Sequence, residues 1–218
     1  DLEQETMTAY EIGYAGVLNR RATVTAAVYW NNTDDAIFFQ PVAQYTATNP
    51  PPTWPPQIPT FVLNLIGLPS LFTYNNLGTV HDKGIELGVD AVVNRYLNVF
   101  TNYSYQADPH VGGFDPREIN FPANNKFNIG FNANYSRYLG NLSVSYTDSA
   151  YWQDVLDQRY AGTTDAFTLV NLGFGVKWLQ ERMVTSLKIN NLLNSEVQQH
   201  IFGDIIKRQV VGEIRYSF

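Results

Sequence analysis

Residues 125–147 read NKFNIGFNANYSRYLGNLSVSYT. Phe127, Ile129, Phe131, Ala133 and Tyr135 alternate there with Asn128, Gly130, Asn132 and Asn134. After Ser136, Leu142, Val144 and Tyr146 oppose Ser143, Ser145 and Thr147. A side-chain period of two is the signature of a strand, so the stretch is two strands joined by a turn. Its polar face is Asn, Ser, Thr and Gly. A sheet that shows this face to bulk water normally carries Lys and Glu, so these strands belong to a different setting.

The pattern recurs along the chain. One-sided faces are Tyr10/Ile12/Tyr14, Val24/Ala26/Val28/Trp30, Ile85/Leu87/Val89/Ala91, Leu97/Val99/Thr101/Tyr103/Tyr105, Val170/Leu172/Phe174/Val176/Trp178, Leu187/Ile189 and Val210/Gly212/Ile214/Tyr216/Phe218. Together they predict about nine strands, several near the ~10 residues that a tilted strand needs to cross a bilayer. Short connections near Asn19–Arg20, Asn94 to Tyr96, Ser136 to Gly140 and Gln180 to Arg182 alternate with long ones at roughly 36–78, 106–124, 152–165 and 191–206. Tight turns at one rim and long loops at the other are the habit of outer-membrane barrels. Counting hairpins forward places the C-terminus at the short-turn, periplasmic rim.

Composition narrows the classes. Charged residues are 16% of the chain against about a quarter in soluble domains. Aromatics reach 14%, yet no run approaches the ~18 apolar residues of a membrane helix. The net charge of −6 argues against a nucleic-acid partner. The absence of cysteine removes disulfide and thiol chemistry. The chain opens at Asp1 without initiator Met or signal segment and reads as cut from a longer polypeptide. The expected fold is therefore all-β, an antiparallel transmembrane β-barrel segment. Small polar residues suit the inner wall of a wide barrel, because a narrow one fills its interior with bulk. An odd strand count does not close an antiparallel barrel of this class, so the missing partners are expected N-terminal to Asp1.

Tyr96, Tyr138 and Trp178 flank short turns, and Tyr105, Tyr146, Tyr151 and Trp152 flank long loops, as two interfacial aromatic girdles would. Each short turn carries arginine (Arg20 and Arg21, Arg95, Arg137, Arg182), either solvated or within reach of lipid phosphates. Glu11, Glu86, Asp90, Glu213 and Arg215 fall on the polar face as lumen charges. They are expected to sit in a hydrated lumen, or to pair across the wall or with an internal domain.

The long loops hold the remaining candidates. Residues 49–59, NPPPTWPPQIP, cannot be strand interior, since proline supplies no ladder donor. Trp54, Phe114 and Trp152 are candidate ligand contacts, with loop anchoring as the plainer reading. The loops are acidic, with Asp34, Asp35, Asp108, Asp115, Asp154, Asp157 and Asp165. That favours a neutral or cationic ligand, or cation-bridged lipopolysaccharide. His81, His110 and His200 all lie in or near long loops and show no zinc spacing. Asp34–Asp35 and Asp154/Asp157 lack EF-hand spacing and read as solvated acid. The GVDAV and GFGV runs lack GxGxxG spacing, and no catalytic constellation emerges, so no metal, cofactor or enzymatic activity is expected.

Four stretches carry a family likeness: LEQETMTAYEIGYAG (2–16), NNLGTVHDKGIELGVDA (75–91), PANNKFNIGFNANY (122–135) and LKINNLLNSEV (187–197). They resemble the C-terminal barrel of TonB-dependent outer-membrane receptors. The ending VVGEIRYSF resembles the assembly signal shared by most outer-membrane barrels, with Ile214, Tyr216 and Phe218 as its marks. The resemblance spans nearly all of residues 1–218. It implies a barrel of about 22 strands with an N-terminal plug, the plug, TonB box and earlier strands lying outside these residues. It also implies TonB-dependent uptake of a ferric siderophore or similar scarce nutrient. The implied partners are outer-membrane lipid and lipopolysaccharide, the barrel-assembly machinery, the receptor's own plug and TonB. A passive porin-like wide barrel and a soluble extracellular β-sandwich stay open as alternatives, with an outer-membrane enzyme more distant.

Overall fold

A computed structural model describes residues 2–154 and 160–218. The strands are β1 (Thr6–Leu18), β2 (Ala22–Gln44), β3 (Pro69–Asn94), β4 (Leu97–Gln106), β5 (His110–Gly112), β6 (Asn125–Tyr135), β7 (Tyr138–Thr147), β8 (Ala150–Trp152), β9 (Gly162–Thr164), β10 (Phe167–Trp178), β11 (Met183–Asn190) and β12 (Gln209–Tyr216). One sheet runs β1-β2-β3-β4-β6-β7-β10-β11-β12, with β5 added to β3, and β8 and β9 form a small hairpin. Every described pairing is antiparallel, and each long strand pairs with the next one in the chain, so the sheet is a succession of local hairpins. β1 and β12 are its two unpaired edges, and the described residues do not close a barrel.

The hairpins lock the alternation into rows. Val24, Val89, Thr101, Ile129, Val144 and Val170 stand opposite one another across six strands. The adjacent row on the other face is Thr25, Gly88, Asn102, Asn128, Ser145 and Leu169. A slip of one residue in any strand would exchange the two faces, so the pattern itself fixes the register. The apolar face is left open: Ile12, Leu87, Ile129, Phe174 and Ile214 are all exposed, and among the described residues only Leu63 and Val197 are wholly buried apolar side chains. No helix among them is long and apolar enough to cross a membrane. An apolar face this large, rimmed by aromatics, is of the kind that the outer surface of a strand-built membrane span presents.

The short turns are where the sequence places them. Asn19 and Arg20 take positive φ (47° and 56°), and the Arg21 amide donates to the Leu18 carbonyl, closing the three-residue connection between paired Leu18 and Ala22. The turn after β6 is tighter than expected, Ser136–Arg137 alone, with β7 starting at Tyr138.

The first long connection differs from expectation. Residues 36–78 were expected as loop, but β2 continues to Gln44 and β3 begins at Pro69. The pair passes a register shift between Thr33 and Ala36 and then resumes. Asp35, at φ 53°, absorbs the extra residue, and Asn76 Nδ2 donates to its carbonyl oxygen at 2.6 Å. An opposite shift follows at once between Ala36 and Ile37, and two more flank Ala43 after Pro41, where a ladder donor is missing. A β-bulge thus carries the hairpin on as an arm beyond the lipid-facing rows.

Candidate functional site

Two regions can act: the polar wall and the rim of long loops. On the wall, Glu11 stands opposite Tyr29, Glu86 opposite Ala27 and Ser104, and Asp90 opposite Thr23 and Phe100. Glu213 is opposite Ser186 and Arg215 opposite Val184. Lys188 reaches diagonally across β11 and β12 to donate to Glu213 at 2.7 Å. Amides fill much of the rest. Asn128 Nδ2 donates to Asn102 Oδ1 at 2.8 Å, and Asn31 Nδ2 to Asp82 Oδ1 at 3.0 Å.

Toward the short-turn end this wall forms an open concavity of about 660 Å³, lined among others by Asn98, Asn132, Asn141, Asn171, Lys188 and Glu213. Its lining mixes amides with apolar side chains, the Lys188–Glu213 pair and the guanidiniums of Arg95 and Arg215, a surface suited to a hydrogen-bonding protein face or a hydrated solute.

At the rim, the three aromatic candidates are each packed against a different neighbour. Trp54 folds the proline-rich loop on itself, its Nε1 donating to the Ile58 carbonyl at 2.8 Å while its amide donates to the Pro51 carbonyl. Phe114 meets Phe38 of the arm at 5.8 Å between ring centroids. Trp152 lies 4.5 Å from the His200 ring, and its Nε1 donates to Thr164 Oγ1 at 3.2 Å. His200 in turn meets Phe202, which meets Tyr160. Trp152 therefore joins the β7–β10 loop to the β11–β12 loop. Sequence reasoning missed His200, Phe202 and Tyr160 as its neighbours, because separations this long leave no local pattern. It also missed Phe39, stacked on Phe72 and tilted against Tyr74, although the alternation of Phe72 with Tyr74 was a signal.

Asp108 and Asp115 of the candidate loop acids are engaged, as are their neighbours Glu118 and Asp148. Asp115 accepts from the Arg117 amide and guanidinium, which holds its carboxyl below the ordinary range. Glu118 accepts from Gln40 Nε2, and its pKa is pushed up by burial and then by the Asp115 charge. Asp108 accepts from Asn124 Nδ2, and Asp148 from Asn125 Nδ2 and the Ser149 amide. Asp157 lies outside the described residues. Among the described residues no group of three or more His, Cys, Asp or Glu is placed to hold a metal ion.

Two of the histidines near the long connections are strand residues. His81 is in β3 and His110 in β5, directly opposite each other. At the short turns, Arg95 lies over Tyr96 at 4.5 Å, and Arg137 lies over Tyr138 at 5.2 Å and Trp178 at 5.8 Å. Each turn arginine so placed is braced on an aromatic ring beside its turn.

A family model described as TonB dependent receptor-like, beta-barrel matches residues 1–192. Among curated proteins none matches the chain in sequence. Of solved structures, the FrpB iron transporter from Neisseria meningitidis (F3-3 variant) is similar at a TM-score of 0.67 and 14% identity, over 100% of this chain and 32% of its own. The copper transporter OprC gives 0.68 and 13%, with 100% and 32% covered. FpvA of P. aeruginosa, bound to a heterologous pyoverdine–iron complex, gives 0.70 and 13%, with 100% and 28% covered. The chain thus spans under a third of the length of these structures, with its whole length inside their fold.

Proposed function

The chain belongs to the TonB-dependent receptor-like β-barrel family, and from that premise we propose that it forms the C-terminal wall of a bacterial outer-membrane transporter. In this reading the transporter takes up a ferric siderophore or similar scarce nutrient with energy delivered through TonB. The observation that carries the reading is the two-faced register: continuous apolar rows on one side and Asn, Ser, Thr and Gly rows on the other. A wide lumen holding a plug needs such a wall, whereas a narrow barrel would fill it with side chains.

The wall charges Glu11, Glu86, Asp90 and Arg215, with the Lys188–Glu213 pair, would then face the plug. The concavity around Asn98, Asn132 and Asn141 would be a seat for it. The C-terminus would lie at the periplasmic rim, with Ile214, Tyr216 and Phe218 as the mark read by the barrel-assembly machinery; all three are exposed, and Ile214 and Tyr216 share the outward row of β12. Outer-membrane lipid would meet the apolar face, lipopolysaccharide its upper rim, and the ligand the loop clusters around Trp152, Phe114 and Trp54. No catalytic step is part of the proposal.

The test is uptake of radiolabelled iron chelates by cells carrying the intact receptor as their single such importer, with and without TonB. Saturable uptake that needs TonB supports the reading. Uptake indifferent to TonB would favour a passive wide barrel and overturn it.

A further inference from the structure

Beyond the outward-facing stack of Tyr10 on Trp30, the wall carries a second feature that uptake does not use. Lys83 stands opposite Trp30, and one outward position further along β3 is His81. His81 is opposite Asn32 on β2 and opposite His110 on β5, so two imidazoles share one row of the outer surface, both exposed. Their rings are 6.3 Å apart between centroids and nearly parallel, at 16°.

His81 Nδ1 is 2.8 Å from Asn32 Oδ1. An amide oxygen can only accept, so Nδ1 carries the proton and the lone pair is left on Nε2. A ring nitrogen fixed this way by a neighbour's oxygen is the arrangement in which histidine binds metals. Directly opposed strand residues hold their Cβ atoms about 4.5–5.5 Å apart. Two imidazoles so rooted can close on one ion at about 2.0–2.1 Å from each nitrogen by side-chain rotation alone.

The geometry points to a two-histidine site on the outer wall, just past the aromatic girdle, for a divalent transition-metal ion. Two neutral imidazoles with solvent completing the shell rank Cu²⁺ first among the common divalent ions. His81 and His110 are the ligands, and Asn32 is a positioning residue that sets the tautomer of His81. The short strand β5 builds the site, because it sets His110 of the β4–β6 connection opposite His81 of β3, within the regular ladder that also pairs His81 with Asn32. Calcium and magnesium prefer oxygen donors and would not compete.

The test is Cu²⁺ titration of the intact receptor, purified in detergent without a histidine tag, followed by calorimetry and by electron paramagnetic resonance. One ion should bind with a two-nitrogen signature. His81→Asn and His110→Asn should each weaken binding at least about tenfold and reduce the signature to one nitrogen, as loss of half a chelate requires. Asn32→Leu should cost roughly tenfold through the tautomer, while His200→Asn leaves binding unchanged. Heat-modifiable gel mobility checks that each variant is folded, which exposed positions allow. Unchanged binding in either folded single-histidine variant, or equal loss in His200→Asn, overturns the site. Uptake is not measured, so the outcome is separate from that of the transport reading.

Discussion

Phe100 lies across Gly130, the residue directly opposite it on the polar face of β4 and β6. A Cβ on Gly130 would meet Phe100 Cζ at 2.5 Å and the Leu142 carbonyl oxygen at 2.6 Å. Tyr29 lies over Gly84 in the same manner, and Gly84 is again its register partner. An aromatic laid flat on an opposed glycine covers bare backbone without raising a side chain into the lumen. It explains how this face carries large rings and still presents a shallow wall.

Gly130→Val should therefore destabilise the barrel by about 1–3 kcal/mol, the usual cost of overpacking. Phe100→Ala in the same chain should recover only part of it, since the Leu142 carbonyl belongs to backbone and cannot move aside. Thermal unfolding of the intact receptor in detergent measures both. Full recovery in the double variant would mean that the ring alone forbids the side chain.

Much of this architecture was legible in the sequence for a physical reason. Lipid on one face and a polar lumen on the other impose a period of two, and Phe127 to Tyr135 show it without interruption. Connections failed where a local rule was overridden. Residues 36–78 read as loop, yet a bulge with Asp35 at φ 53° lets pairing resume for the arm. The rim was legible as loop but not as contacts. Trp152 and His200 meet through tertiary packing that no periodicity encodes, and the opposition of His81 and His110 depends on β5, whose three residues are too short to read as a strand.

The arm and the β4–β6 loop meet at Gln40 and Glu118, and this contact should respond to pH. Glu118 is raised above its ordinary value of 4.5 by burial and by Asp115. A raised carboxyl favours the packed loop while protonated, a contribution complete below the unfolded value and lost as pH rises through the raised one. Asp115 is lowered from 3.8 by its hydrogen bonds to Arg117, so its contribution is present above 3.8 and fades as pH falls through the lowered value. Acidifying from neutrality through the Glu118 transition should thus tighten the loop while Asp115–Arg117 stays ionised. Hydrogen exchange over residues 107–124, corrected for intrinsic rates, should show protection rising on that side. Glu118→Gln should remove the rise; its persistence in that variant would assign the effect elsewhere.

Trp152→Ala should release two loops at once. The ring joins the β7–β10 connection to His200 of the β11–β12 connection, and its Nε1 is bonded to Thr164. Hydrogen exchange should then rise at residues 162–164 and at 198–206 together. Under the ligand-contact reading alone, binding would fall while both segments kept their protection.

Lys188 and Glu213 pair at 2.7 Å with both side chains about half exposed, so their stability contribution should be small, about 0.2–1 kcal/mol. Glu213→Lys would place like charges diagonally on the last two strands, and Lys188→Glu combined with it would restore opposite ones. If the pair serves only to fix β12 on β11, the double variant should recover both folding and uptake. If Glu213 also pairs with the plug, the double variant should recover folding, read by heat-modifiable mobility, but not uptake. A single Glu213→Lys variant with wild-type folding and uptake would remove both roles.

Asn191 should be the most sensitive polar residue at the rim, because it is 1% exposed and nearly all its polar atoms are used. Its backbone takes φ 53°, where asparagine is among the few tolerated non-glycine residues. Its Nδ2 donates to the Ser195 carbonyl at 2.8 Å and the Ile206 carbonyl at 3.2 Å, and its Oδ1 accepts from the Ser195 amide at 3.1 Å. Its own amide donates to Asn171 Oδ1 at 3.0 Å. One side chain thus ties both ends of the β11–β12 connection over the buried Val197. Asn191→Ala keeps the chain but leaves those carbonyls and the Ser195 amide without partners, at about 1–3 kcal/mol for a buried group. Asn191→Asp keeps the acceptor but loses the donor, and should be nearly as damaging. Asn191→Gly should keep the turn and lose the clamp. Proteolysis within residues 195–206 should accelerate in all three while the strands stay protected. Unchanged resistance in Asn191→Ala would show that Val197 packing alone holds the loop.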